Sequence, residues 1–147
     1  MRKFIIPPVF LSMSLILIIL FHFMLPKYNF IHFPFNCIGS IFILLGFAII
    51  GKTRNLFKKH STTVKYKKSN YMITDEFFAK TRNPMYIGMF FLIMGIGICF
   101  MNIFSILTPF AFILTINFVC LPIEEKMMFD AFGQEYLDYK KTVRRWI

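Results

Sequence analysis

The chain has 147 residues, enough for one domain, of which 57% are hydrophobic and only 16% charged, with mean hydropathy +0.63 and net charge +10. A soluble domain ordinarily carries about 25% charged residues, and the apolar residues here are clustered, which excludes an ordinary soluble core and indicates a membrane protein. In a soluble chain such a positive balance would point to nucleic acid; here it follows membrane topology, and no nucleic-acid partner is expected.

Phe4–Pro26 is uncharged and lies between Lys3 and Lys27. Tyr28–Gly51 is uncharged and lies between Lys27 and Lys52. A spanning helix needs roughly 20 apolar residues, so these stretches predict spans over about 5–25 and 35–51. "MRK" before an apolar stretch could open a signal peptide, but the stretch is too long for a signal core and lacks a small-residue cleavage site. Pro7 and Pro8 fall in the first turn of the first span, where a missing N–H costs little. Residues 1–51 read as two scaffold spans.

Residues 52–82 hold nine of the seventeen Lys and Arg, interleaved with Phe57, Val64, Tyr66, Tyr71, Phe77 and Phe78. Basic plus aromatic at a membrane boundary reads as a segment lying on the bilayer surface. Thr74 followed by Asp75 and Glu76 predicts a short helix over 75–80.

No charged residue occurs from Asn83 to Ile123. That length holds two spans, about 84–101 and 103–122, with a tight turn in "CFMN" at 99–102. They form a helical hairpin. Sixteen of the seventeen Lys and Arg then fall on one side of the membrane and only Lys27 on the other. The N-terminus, the basic loop and the C-terminus are expected to face the cytosol.

After Pro122 the chain turns polar. Phe129, Phe132, Tyr136, Tyr139 and Val143 recur at helical intervals, with Gly133 interrupting. Residues 124–147 predict one bent amphipathic helix or two short ones, closed by "RRWI" as an interfacial anchor. The fold class expected is an all-α integral membrane protein of about four spans with an amphipathic cytosolic C-terminal helix.

Cys37, Cys99 and Cys120 fall in apolar segments without metal-ligand spacing and read as small buried hydrophobes. His22, His32 and His60 are scattered, and no metal site is expected. Gly95 and Gly97 in "MGIGI" read as close helix packing.

The chemistry gathers where the uncharged stretch is bracketed. In "KTRNPMYIG" Asn83 can cap a helix and Pro84 suits its first position. Free N–H groups beside Arg82 also make an anion site. At the other end Glu124 and Glu125 stand side by side at the membrane boundary. One of them pairing with Arg82 or Lys126 is the bland reading. Two adjacent carboxylates left unneutralised at that depth would be functional. The hairpin brings Tyr86 and Glu124 to the same membrane face, with Gly88 allowing close approach. An anion-binding end, a cation-binding end and an aromatic residue suit a zwitterion, without selecting one.

"RNPMYIG", 35 intervening residues and then "EEKMMFDAFGQEYLDYKKTVRRW" resemble the isoprenylcysteine carboxyl methyltransferases and the related integral-membrane phospholipid methyltransferases. The match runs over Thr74–Trp146, about half the chain. The resemblance implies a multispan enzyme that binds S-adenosylmethionine at the cytosolic face, in a pocket of the last two spans covered by the tail, with lipid entering from the bilayer. By position it makes Arg82, Asn83, Tyr86, Gly88, Glu124, Glu125 and Tyr136 cofactor residues, with Arg82 also suited to orienting an acceptor carboxylate. Tyr139 and Arg145 lie in the weaker tail pattern. Many members have histidine at the position of Asn83. Glu76-Phe77, Ala79 and Arg144 also depart from the pattern.

Methyl transfer from a sulfonium needs alignment and exclusion of water more than proton transfer. An amine acceptor would need a base, and Asn83 is none, so an ionised carboxylate acceptor is expected, with a phospholipid amine as the alternative. A non-catalytic membrane scaffold explains the hydrophobicity and topology but not the ordered motifs. A membrane reductase of sterol-like lipids would need early helices that this chain lacks. The composition, rich in Phe, Ile, Lys and Met, looks bacterial, which places the protein in an inner membrane. Four spans are few to bury a cofactor and a lipid together, and a homodimer would supply more.

Overall fold

A computed structural model describes residues 6–30, 33–59, 72–74 and 76–146. Its helices are α1 (Ile6–Met24), α2 (Ile38–Lys59), α3 (Pro84–Cys99), α4 (Ile103–Thr115), α5 (Leu121–Phe132) and α6 (Gln134–Thr142). Three runs are long and apolar enough to cross a membrane: Pro7–Met24, Phe35–Lys59 and Ile103–Phe132. The fourth, α3, is apolar but has 16 residues, a rise of roughly 24 Å against a hydrocarbon core of about 30 Å. The expected all-α membrane bundle is what forms.

Two expected boundaries move. α2 continues past Gly51 to Lys59, because "KTRNLFKK" still offers an inward face in Thr53 and Leu56 and ends on lysines that suit a helix C-terminus. The last span does not stop at Pro122. A π turn over Ile116–Cys120 links α4 to α5 without a break, so the rod runs from Ile103 to Phe132. A proline ring collides with the carbonyl four residues back, here Phe118, and the widened π turn lies at that carbonyl. Glu124 and Glu125 therefore sit within a helix rather than after one.

Gly133, at φ +53°, ends α5 in a conformation that favours glycine. The tail is thus two helices. Tyr136 and Tyr139 of α6 are buried, while Phe129 on α5 stays 47% exposed and leaves the expected common face. In place of a helix over 75–80 there is a 3₁₀ turn, Glu76–Ala79. Asp75, His32, His60, Val64, Tyr66, Tyr71 and the rest of 60–71 lie outside the described residues.

α2 and α3 form the most extensive helix pair. They run antiparallel with Gly39 against Gly95 and Gly46 against Gly88; a side chain at any of the four would meet the facing backbone. Spacing by seven on both helices keeps the seam aligned. Gly97 closes in the same way on the Ser105 backbone of α4. α1 packs on α4, where buried Ser105 donates its hydroxyl proton to the Ile18 carbonyl at 3.2 Å. Of the cysteines Cys120 is buried, but Cys37 is exposed on the outer surface of the bundle.

At the end of the bundle away from the glutamates, Asn102 ties the hairpin turn to α1. It is fully buried. Its amide donates to the carbonyls of Leu25 (2.8 Å) and Phe21 (3.2 Å) and to Asn29 Oδ1 (2.8 Å), and its own Oδ1 caps Phe104 N–H (2.9 Å). Asn102→Leu keeps the volume but strands these partners. It is expected to lower stability by about 2–3 kcal/mol, read as a lower midpoint of unfolding in detergent. An unchanged midpoint would show that water replaces the amide there.

Candidate active site

The glutamate-bearing end is built from the start of α3, the middle of α5, and α6 with the segment that follows it. Pro84 opens α3, and its missing N–H leaves no orphan there. Asn83 stands at the cap position, but its side chain makes no capping bond. Its Nδ2–H₂ instead donates to the Arg145 carbonyl at 2.9 Å. The Thr81 hydroxyl accepts from Asn83 N–H and donates to the same carbonyl, at 3.2 and 3.1 Å. Arg82 N–H donates to the Arg144 carbonyl at 3.0 Å. Residues 144–145 are thus strapped along 81–83, which explains why the tail pattern and the "RNP" stretch occur together in the sequence.

The two glutamates separate because consecutive helix positions point roughly 100° apart. Glu124 turns to α3 and accepts the Tyr86 hydroxyl at 2.5 Å. The hairpin does bring these two residues together across 38 positions. Glu125 turns to the cations. Its Oε1 lies 3.1 Å from Arg82 Nη1 and 3.0 Å from both Arg145 Nε and Nη2, and its Oε2 lies 2.9 Å from Lys140 Nζ. The picture of two unneutralised carboxylates is therefore corrected for Glu125, which three cations surround, Arg82 among them.

Arg82 is largely enclosed. Its side chain is 9% exposed. Nη1 also donates to the Tyr136 hydroxyl at 3.2 Å, while Nε is buried with no hydrogen-bond partner among the described residues. Burial, with the Glu125 charge added, raises the Tyr136 hydroxyl above its usual range, so it stays protonated and keeps a proton to donate. Tyr139 donates to the Phe78 carbonyl at 2.7 Å and clamps α6 to the 3₁₀ turn; burial likewise holds its hydroxyl protonated.

Two cavities meet here. The first, about 60 Å³, lies between Met72, Ile73, Leu121, Met128, Phe132, Tyr136 and Tyr139. The second, about 100 Å³, lies between Pro7 and Pro8 of α1 and Pro84, Met85, Tyr86 and Met89 of α3. Phe57, Phe78, Arg82, Asn83 and Glu124 line both. Of the residues read from the sequence, Arg82, Asn83, Tyr86, Glu124, Glu125 and Tyr136 thus converge on these lobes. Gly88 does not line either one. It faces Gly46 and Ile50 of α2, so its lack of a side chain serves helix packing.

Asn117 and Lys140 were not legible as site residues. Asn117 Oδ1 accepts from Arg145 Nη1 at 3.1 Å and Trp146 Nε1 at 3.3 Å. A lone amide in an apolar span was the available signal. Trp146 is correspondingly packed against the bundle core rather than set at the surface as an interfacial anchor.

Residues 35–135 match the family of phospholipid methyltransferases. In three dimensions the chain is similar to a eukaryotic intramembrane Ras methyltransferase, isoprenylcysteine carboxyl methyltransferase, with a TM-score of 0.68 and 26% identity. The likeness covers 92% of this chain and 50% of that one, so this chain spans about half the length of the solved structure it matches. No curated protein matches it in sequence.

Proposed function

The chain belongs to the phospholipid methyltransferase family, and from that membership we propose that it methylates a lipid or lipid-linked acceptor with S-adenosylmethionine at the cytosolic face of the membrane. The observation that carries the reading is the buried, unpartnered Nε of Arg82 at the junction of the two lobes. A buried donor left open in a native structure calls for an acceptor, and a carboxylate answers it.

The first lobe fits the cofactor. Its lining joins a charged end to apolar walls, the combination that small-molecule sites use. Arg82 would take the cofactor's carboxylate and Glu124 its ammonium or ribose hydroxyls, with Met72, Met128 and Phe132 as apolar walls and Tyr136 as a neutral donor. When bound, S-adenosylmethionine supplies an activated methyl group on a sulfonium. Glu125 holds Arg82 in place through their ion pair, and the 144–145 strap ties the tail to Arg82 and Asn83.

The second lobe fits the acceptor. Pro7, Pro8, Met85 and Met89 give it apolar walls between α1 and α3, while Arg82, Tyr86 and Glu124 give it a polar end. An acceptor carboxylate would be oriented by Arg82 and would need no base. An amine acceptor is the second reading. Glu124 lines both lobes and could receive its proton, which supplies the base that Asn83 cannot. Labelled methyl transfer, offered a prenylated cysteine and phosphatidylethanolamine, separates the two. Label released as methanol by alkali is the expected ester. Alkali-stable label in the amine lipid alone would sink the carboxylate reading, and no label in either would favour a scaffold.

A further inference from the structure

A second groove lies on the other side of α3 and belongs to neither lobe. Where α2 leaves the apolar span, Lys52, Asn55 and Lys59 face Glu76, Phe77 and Lys80 across an open cavity of about 520 Å³. The positions 52, 55 and 59 share one face of α2. Lys52 Nζ stands 6.0 Å over the Phe77 ring. Among the described residues three ammonium groups meet one carboxylate there, a net cationic lining.

This basic cavity continues into an apolar one. Phe77 and Lys80 line both, and the second, about 160 Å³, runs between α2 and α3 along Ile49, Pro84, Ile87 and Phe91. Ile87 and Phe91 are four residues apart on one α3 face, and Met85 and Met89 of the acceptor lobe lie on another. A cationic cup opening into an apolar slot within the spanning region matches a molecule with a phosphate head and a hydrocarbon tail. A free phosphate would leave the slot unused, and a neutral lipid would leave the lysines unused.

We propose that the groove between α2, the Glu76–Ala79 turn and α3 binds one anionic phospholipid, with its phosphodiester among Lys52, Lys59 and Lys80 and an acyl chain along Ile49, Ile87 and Phe91. Each lysine near a membrane surface adds to anionic-lipid attraction, and a cup placed at headgroup depth turns that general attraction into a site. The inference does not depend on the methyl-transfer reading.

Native mass spectrometry of the full chain in neutral detergent tests it, with phosphatidylglycerol and phosphatidylcholine of the same acyl chains. The wild type is expected to retain phosphatidylglycerol at least about tenfold better, as three headgroup-level cations would require. Lys52→Gln/Lys59→Gln/Lys80→Gln should abolish that preference. Arg54→Gln/Lys58→Gln removes two cations of the same helix that do not line the groove and should keep it. Ile87→Trp fills the slot and should lower retention of both lipids, which decides the matter even if the triple variant does not fold. Equal retention by the wild type would overturn the proposal. So would loss of preference in the Arg54/Lys58 variant, or displacement of the lipid by glycerol phosphate, which has the head without the tail.

Discussion

Glu125→Gln is expected to remove about 3 kcal/mol of stability and to abolish binding of S-adenosylhomocysteine. The magnitude rests on one pair. Lys140 and Arg145 are 43% and 32% exposed, and contacts of that kind contribute about 0–1 kcal/mol each. Arg82 is different, since its side chain is 9% and that of Glu125 14% exposed. Breaking a buried pair from one side costs about 3–5 kcal/mol, because the remaining charge is left uncompensated. Arg82 would then lack its anchor as well as a partner for Nε. A scan of the unfolding midpoint in detergent, with calorimetric titration of S-adenosylhomocysteine, reads both effects. Full stability and full binding in the variant would show that the cation cluster neither holds the tail nor shapes the cofactor lobe.

Glu124→Gln is expected to behave in the opposite way, with stability kept and methyl transfer lowered at least about 100-fold. A glutamine oxygen can still accept the Tyr86 hydroxyl, which lies 2.5 Å from Glu124 Oε1, so the α3–α5 contact persists. What disappears is the ionisable carboxyl shared by both lobes. Removing one preorganised electrostatic group from an active site commonly costs about 10²–10³ in rate. Tyr86→Phe provides the complement. It keeps the carboxyl and removes the bond, so it should lower stability more than it lowers the rate. If the two variants had equal effects on rate and stability, Glu124 would be a packing residue.

Much of this arrangement was legible in the sequence because it depends on long-range charge order. Two uncharged runs bounded by lysine and a longer one bracketed by Arg82 and Glu124–Glu125 pointed to four helices, and that bracket pointed to the end where the two lobes meet. What escaped depends on backbone detail. Pro122 reads as a helix stop, and only the π turn before it lets the rod continue to Phe132. The capping role expected of Asn83 was displaced because Arg145 offers it a carbonyl 62 positions away. Gly88 belongs to the motif from which cofactor residues were expected, yet its own position faces α2, and no local pattern distinguishes a glycine that approaches a ligand from one that approaches a helix. The division of labour between the adjacent glutamates was also hidden, since it is set by which neighbour lies on each side of α5.

The π turn has a consequence for how this chain can vary. It adds about one residue to a turn of the ladder, so everything after Cys120 is rotated by roughly 100° from the azimuth an uninterrupted α-helix would give it. Glu124 meets Tyr86, and Glu125 meets Arg82, by virtue of that phase. The direction of the carboxylates is therefore an arithmetic property of the chain, fixed by how many residues separate them from the hairpin turn. Many side chains between Ile103 and Ile123 can be exchanged for others of similar bulk. Their number cannot, because losing or gaining one would leave the span intact and turn both glutamates away from their partners.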